Sequence, residues 1–144
     1  MEWTKEQQRI INLKNSNILV SAAAGSGKTA VLVERIINLI KNDKVDIDKF
    51  LVVTFTNAAA EGMKQKIQKS LVKAAREDGD MRHIRKQLSL LNKAQITTIH
   101  SFCLDVVRKN FHLIGIDPGF RIGDISELNI LLQASVDEVL ERAY

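Results

Sequence analysis

Cysteine, proline and aromatic residues are scarce in this sequence, and each scarcity removes a class of protein. One cysteine, one proline, one tryptophan and one tyrosine stand among 144 residues. A lone Cys103 excludes an internal disulfide framework and fits a reducing compartment. One proline and seven glycines exclude collagen-like and proline-rich low-complexity chains. No apolar run reaches ten residues, too short for a membrane-spanning helix. The start, Met1-Glu2-Trp3-Thr4-Lys5, lacks the basic head and apolar stretch of a secretory leader, so the cytoplasm is the expected location. His83 and His112 lack neighbours at metal-ligand spacing, and Cys103, between apolar residues, reads as buried packing.

What is present is ordinary globular material: 45% hydrophobic and 26% charged residues, enough length for one domain and not for two full ones. The net charge of +4 is unevenly spread. Residues 61–109 carry 11 basic and 5 acidic side chains, whereas residues 110–144 carry 2 basic and 6 acidic. The middle block is either a positive face for phosphates or a pair of solvated lysine-rich helices. The turn-forming run Gly115-Ile116-Asp117-Pro118-Gly119 marks the expected boundary, dividing residues 1–112 from a helical extension at 113–144.

Periodicity supplies the elements. Thr4-Lys5-Glu6-Gln7 has capping-box form and opens a helix running to about Lys14. Asn17–Ser21, Phe50–Phe55 and Gln95–Ile99 read as short buried strands. Between and after them come helices. Lys28–Lys41 has Leu32, Ile36, Ile37 and Ile40 inward, and a second, capped by Thr56 or Asn57, carries Met63, Ile67 and Leu71. A third holds Met81, Ile84, Leu88 and Leu91, a fourth covers His100–Phe111, and a last one runs from Ile125 to Leu140. Strands alternating with helices predict an α/β fold: an incomplete parallel sheet of the P-loop NTPase, RecA-like kind, flanked by helices, with ligands at the carboxyl ends of the strands.

Those strand ends carry the motifs. Ser21-Ala22-Ala23-Ala24-Gly25-Ser26-Gly27-Lys28-Thr29 lies between a predicted strand and a predicted helix, as a phosphate-binding loop must. Glycines let successive N–H groups curl toward an anion, and the helix start adds its positive dipole end. Lys28 is expected to reach the β- and γ-phosphates and the Thr29 hydroxyl to hold Mg²⁺. Ala22 stands where the strict pattern has its first glycine. The second strand ends in Thr54-Phe55-Thr56-Asn57, and the third runs into His100-Ser101.

Taken in order with Thr4–Gln7, these motifs resemble the superfamily 1 DNA helicases of the UvrD type, and within them the helicase–nuclease subunits of bacterial double-strand-break repair. The resemblance spans nearly the whole chain. It implies ATP and Mg²⁺ as cofactors, single- or double-stranded DNA as partner, and a second helicase–nuclease subunit in a heterodimer. Gln7 matches the glutamine that reads the adenine edge; Ala22, Ala23, Ala24, Gly25, Ser26, Gly27, Lys28 and Thr29 match the triphosphate and Mg²⁺ site. Thr54, Phe55, Thr56, Asn57, Lys64, His100 and Ser101 match positions along the DNA path, with Phe55 expected to stack on a base. Gly62 and Lys66 depart from the glutamate and arginine usual there. The residues alone leave duller roles open: Gln7 as a capping partner only, Phe55 in a core, His100 as a structural histidine.

A motor of this kind also needs acidic residues at another apolar strand end. Asp137-Glu138 is the only acidic pair in an apolar setting, and its place in the last predicted helix reads as surface. The expectation is therefore the front part of a longer protein, inactive alone. A different P-loop NTPase, or a P-loop nucleic-acid-binding module without helicase activity, remains the alternative.

Overall fold

In a computed structural model of the chain, residues 2–23, 25–77 and 81–143 are described. They form helices α1 (Lys5–Asn12), α2 (Lys28–Asn42), α3 (Asn57–Glu77), α4 (Met81–Leu90), α5 (Ile99–Asn110) and α6 (Ile125–Ala143), and strands β1 (Leu51–Thr54) and β2 (Gln95–Thr98). Short 3₁₀ turns precede β1 and β2 at Ile47–Lys49 and Leu91–Lys93. The chain divides into two compact units, residues 1–105 and 106–144.

Local chemistry sets the helix starts. The Thr4 hydroxyl accepts from Gln7 N at 3.2 Å and the Gln7 side chain accepts from Thr4 N at 3.0 Å, closing the capping box of α1. Ala59 N donates to the Thr56 hydroxyl at 3.2 Å, so Thr56 caps α3. At α2 the cap is Gly27 in left-handed backbone, φ 81°. Gly25, at φ 78°, adopts the same conformation, which only glycine takes without strain.

The core of the first unit lies between α2, α3, α4 and one side of the sheet. It gathers Val33, Ile36, Ile37 and Ile40 from α2, Val52 from β1, Met63, Ile67 and Leu71 from α3, and Ile84 with Leu91. β1 and β2 pair in parallel, Leu51 with Gln95 through Thr54 with Thr98. Parallel neighbours require a crossover, and α3 with α4 provides it.

One buried polar knot fixes the entry to β1. Gln87 of α4 is fully buried; its side-chain oxygen accepts from Ile47 N at 2.8 Å and its amide donates to Asp46 Oδ1 at 2.7 Å. Lys86 Nζ meets the other Asp46 oxygen at 2.7 Å. The hydrogen bonds from Lys86 and Gln87 hold the Asp46 carboxyl below its ordinary value.

In the second unit, Gly119 N donates to Asp117 Oδ1 at 2.7 Å within the predicted turn. Asp124 and Glu127 then form a second capping box, at 2.9 and 3.1 Å, opening α6. The hydrogen bond from Arg121 holds the Glu127 carboxyl below its ordinary range. No α6 residue is buried within the described structure, and Asp137 and Glu138 are on its exposed surface, as expected.

Several expectations need correction. Among the described residues the sheet has two strands, not three, and residues 17–21 form no strand. Leu19 is 99% exposed. A strand acquires its ladder only from a neighbour, and sheets of this type are buried on both faces. Here Leu51 and Val53 remain about half exposed, so nothing among the described residues covers that side of the sheet. Leu32 is also outward, with Val31 and Val33 taking the buried positions on α2. Cys103 is exposed rather than packed.

Candidate functional site

Two groups of sequence-predicted residues are each drawn together. The first surrounds the loop before α2. Lys28 Nζ, at the first residue of α2, donates to the carbonyls of Ala22 at 2.5 Å and Ala23 at 2.7 Å. Gln7 reaches the same loop: its side-chain amide donates to Ser26 O at 3.3 Å while its oxygen completes the capping box. One side chain thus combines the capping bond with a reach to the phosphate loop. Ala24 lies outside the described residues. Thr29 is exposed one residue along α2.

This loop suits an anion. No side chain caps the amino terminus of α2 and no acidic residue occupies its first turn, leaving its N–H groups and positive dipole end uncompensated. A cavity of about 520 Å³ opens beside it, walled by Gln7 and Ile10 of α1, by Ile18, Val20 and Ala22, and by Lys28, Leu32 and Arg35 of α2. Apolar walls with a few convergent polar groups are the usual form of a small-molecule site. A second cavity, of about 510 Å³ between α1, α2 and α3, contains none of the predicted site residues.

The second group sits at the carboxyl ends of the paired strands. Because Thr54 and Thr98 are in register, Thr54–Asn57 and the start of α5 lie side by side. The Thr54 hydroxyl donates to Thr56 O at 3.0 Å, folding the strand end over before α3. Thr98, itself buried, caps α5 by accepting from Ser101 N at 3.2 Å and bonds the Ser101 hydroxyl at 2.9 Å. Phe55 is 94% exposed and His100 is exposed, which excludes a core role for the Phe55 ring. Lys64 is half-buried about two turns into α3. No hydrogen bond among the described residues joins this group to the loop group.

Residues 3–143 match the family model described as the UvrD/REP helicase N-terminal domain. The chain belongs to that family. Among UvrD/REP relatives, it is 56% identical over 144 residues to the ATP-dependent helicase/nuclease subunit (AddA) of Alkaliphilus oremlandii (strain OhILAs), covering 99% of this chain and 12% of that protein. It is 57% identical over 145 residues to the protein of that name from Clostridioides difficile (strain 630), covering 99% of this chain and 11% of the relative. The chain therefore spans about an eighth of the length of these UvrD/REP proteins. Among the described residues no helix is long and apolar enough to cross a membrane.

Sequence reasoning missed Arg35. This half-buried side chain of α2 donates from Nη1 to Ile10 O and, at 3.5 Å, to Ile11 O, both in the last turn of α1. A signal was available: Arg35 lies seven residues after Lys28, nearly on the same side of the helix.

Proposed function

We propose that this chain is the ATP-binding part of an ATP-dependent DNA helicase/nuclease subunit that translocates on single-stranded DNA in double-strand-break repair and recombination. The observation that carries the reading is the convergence of Gln7, Ser26 and Lys28 on one loop at an uncapped helix start, beside a cavity with apolar walls. In this reading residues 1–112 belong to a P-loop, RecA-like domain and residues 113–144 begin a helical subdomain. The whole protein acts in the cytoplasm with a second, AddB-like subunit.

The residues fit Mg-ATP. Ala22 through Thr29 would hold the triphosphate, with Lys28 neutralising the outer phosphates and the Thr29 hydroxyl facing Mg²⁺. Gln7 would present its amide to the adenine edge while Ile10, Ile18, Val20 and Leu32 exclude water from the base. Bound nucleotide supplies the free energy of hydrolysis that such a motor uses. On the strand ends, Thr54, Phe55, Thr56, Asn57, Lys64, His100 and Ser101 would line the DNA, with the exposed Phe55 ring stacking on a base.

No acidic pair follows an apolar strand in these 144 residues, so binding without appreciable turnover is expected of them. Titration of Mg-ATP into the chain and its Lys28→Ala variant tests the reading. The variant is expected to lose at least about tenfold in affinity, as removal of a charge-assisted phosphate contact requires. Equal affinities would overturn the assignment of the loop.

A further inference from the structure

We propose that Arg35 is the positioning residue for base selection: it fixes α1, and with it Gln7, against the helix that carries Lys28. The inference rests on the reading of Gln7 as the group that meets the base.

α1 has only eight residues, shorter than a helix that stands alone in water. Its orientation must come from ties to the rest of the fold. At its amino end the capping box is internal and leaves Gln7 reaching to Ser26. At its carboxyl end the orphan carbonyls need donors. Leu13 N satisfies Arg9 O at 2.9 Å, and the Arg35 guanidinium takes Ile10 O and Ile11 O. A cation placed at that end also opposes the negative end of the helix dipole. Asn38 to Asn12 at 3.0 Å and Lys14 to Asp43 at 2.5 Å extend the seam, but both are exposed pairs; of these ties Arg35 alone is half-buried and faces the cavity.

Lys28 and Arg35 project from nearly one side of α2, about 10 Å apart along its axis. One helix therefore grips the loop at its start and α1 two turns later. Loosening the Arg35 tie lets α1 shift while the loop and Lys28 keep their places. Base preference and triphosphate affinity separate: the first depends on Arg35, the second does not.

The test measures binding of Mg-ATP, Mg-ITP and Mg-tripolyphosphate to the 144-residue chain and to Arg35→Met, Arg35→Lys and Gln7→Ala variants. Amide hydrogen exchange across residues 8–13 is followed in parallel, with the core helix α3 as a folding control. Expected for Arg35→Met is a loss of about three- to tenfold in the ATP-over-ITP preference, with tripolyphosphate affinity unchanged. Faster exchange should be confined to α1, and Arg35→Lys should restore part of the preference. If Gln7→Ala abolishes the preference and Arg35→Met leaves it intact, the positioning role is wrong and the Gln7 reading stands. If neither variant alters it, or the parent shows none, the Gln7 reading fails and the inference with it. Unchanged exchange in α1 of Arg35→Met overturns the inference by itself.

Discussion

Replacing Gln87 offers the most direct test of how the first unit is held together. Gln87→Leu keeps the approximate volume of the side chain and removes both hydrogen bonds. The consequential loss is at Ile47, which is 0% exposed and whose N–H is satisfied by the Gln87 oxygen at 2.8 Å. An orphaned buried donor costs about 1–3 kcal/mol, and apolar burial of the leucine returns part of that. Asp46 loses a partner too, but its side chain is 26% exposed and water can replace the amide. The net expectation for Gln87→Leu is about 2 kcal/mol of destabilisation. At about 4 °C per kcal/mol for a chain of this size, Tm falls by roughly 8 °C. Gln87→Ala adds a void and should cost about 1–2 kcal/mol more. Thermal unfolding followed by circular dichroism reads both. A Gln87→Leu variant melting at or above the parent would refute the reasoning, because the Ile47 donor would then have found another partner without cost.

The same knot sets an acid response. Asp46 is held below its ordinary value by Lys86 and then by Gln87, so its contribution is present above the unfolded carboxylate value of 3.8 and is lost as pH falls below it. The acid-unfolding midpoint of Lys86→Ala should lie at higher pH than the parent's, and coincident midpoints would contradict this. Phe55→Ala should leave Tm unchanged while weakening single-stranded DNA binding by about 1–3 kcal/mol, read by fluorescence anisotropy. Two apolar residues should part company in urea titrations: Ile67→Ala, at 0% exposure, is expected to cost about 2–5 kcal/mol, and Leu19→Ser, at 99% exposure, almost nothing. A large effect at Leu19 would restore the strand expected at residues 17–21.

Features set by neighbours in sequence were legible. The capping box at Thr4–Gln7, the Thr56 cap and the spacing of Met63, Ile67 and Leu71 all depend on residues within one or two helical turns. The alternation around β1 placed Phe55 opposite Val52, and the structure buries Val52 and exposes the ring. Failures came where distant partners decide. Ile18-Leu19-Val20 has the composition of a strand but no neighbour among the described residues to pair with. Nothing local distinguishes Gln87 from a surface glutamine; its partners at Asp46 and Ile47 are 41 and 40 residues away. Arg35 meets carbonyls 25 and 24 residues distant, and charge patterning is blind to backbone acceptors.

The core itself joins the two groups of site residues. α2 begins at Lys28 on the loop, and α3 begins at Asn57 beside Phe55. Ile36, Ile37 and Ile40 of the first and Met63, Ile67 and Leu71 of the second belong to one buried cluster. Interiors packed at crystal-like density do not deform smoothly, so each helix start is a fixed extension of the same solid. Neither group needs a direct bond to the other to hold its relative place. What varies is outside that solid: α1 reaches the loop through Gln7 and is held by Arg35, and Phe55 stands clear of the sheet. The moving parts of nucleotide and strand recognition are therefore expected at α1 and at the β1–α3 turn, with α2 and α3 as the frame against which they move.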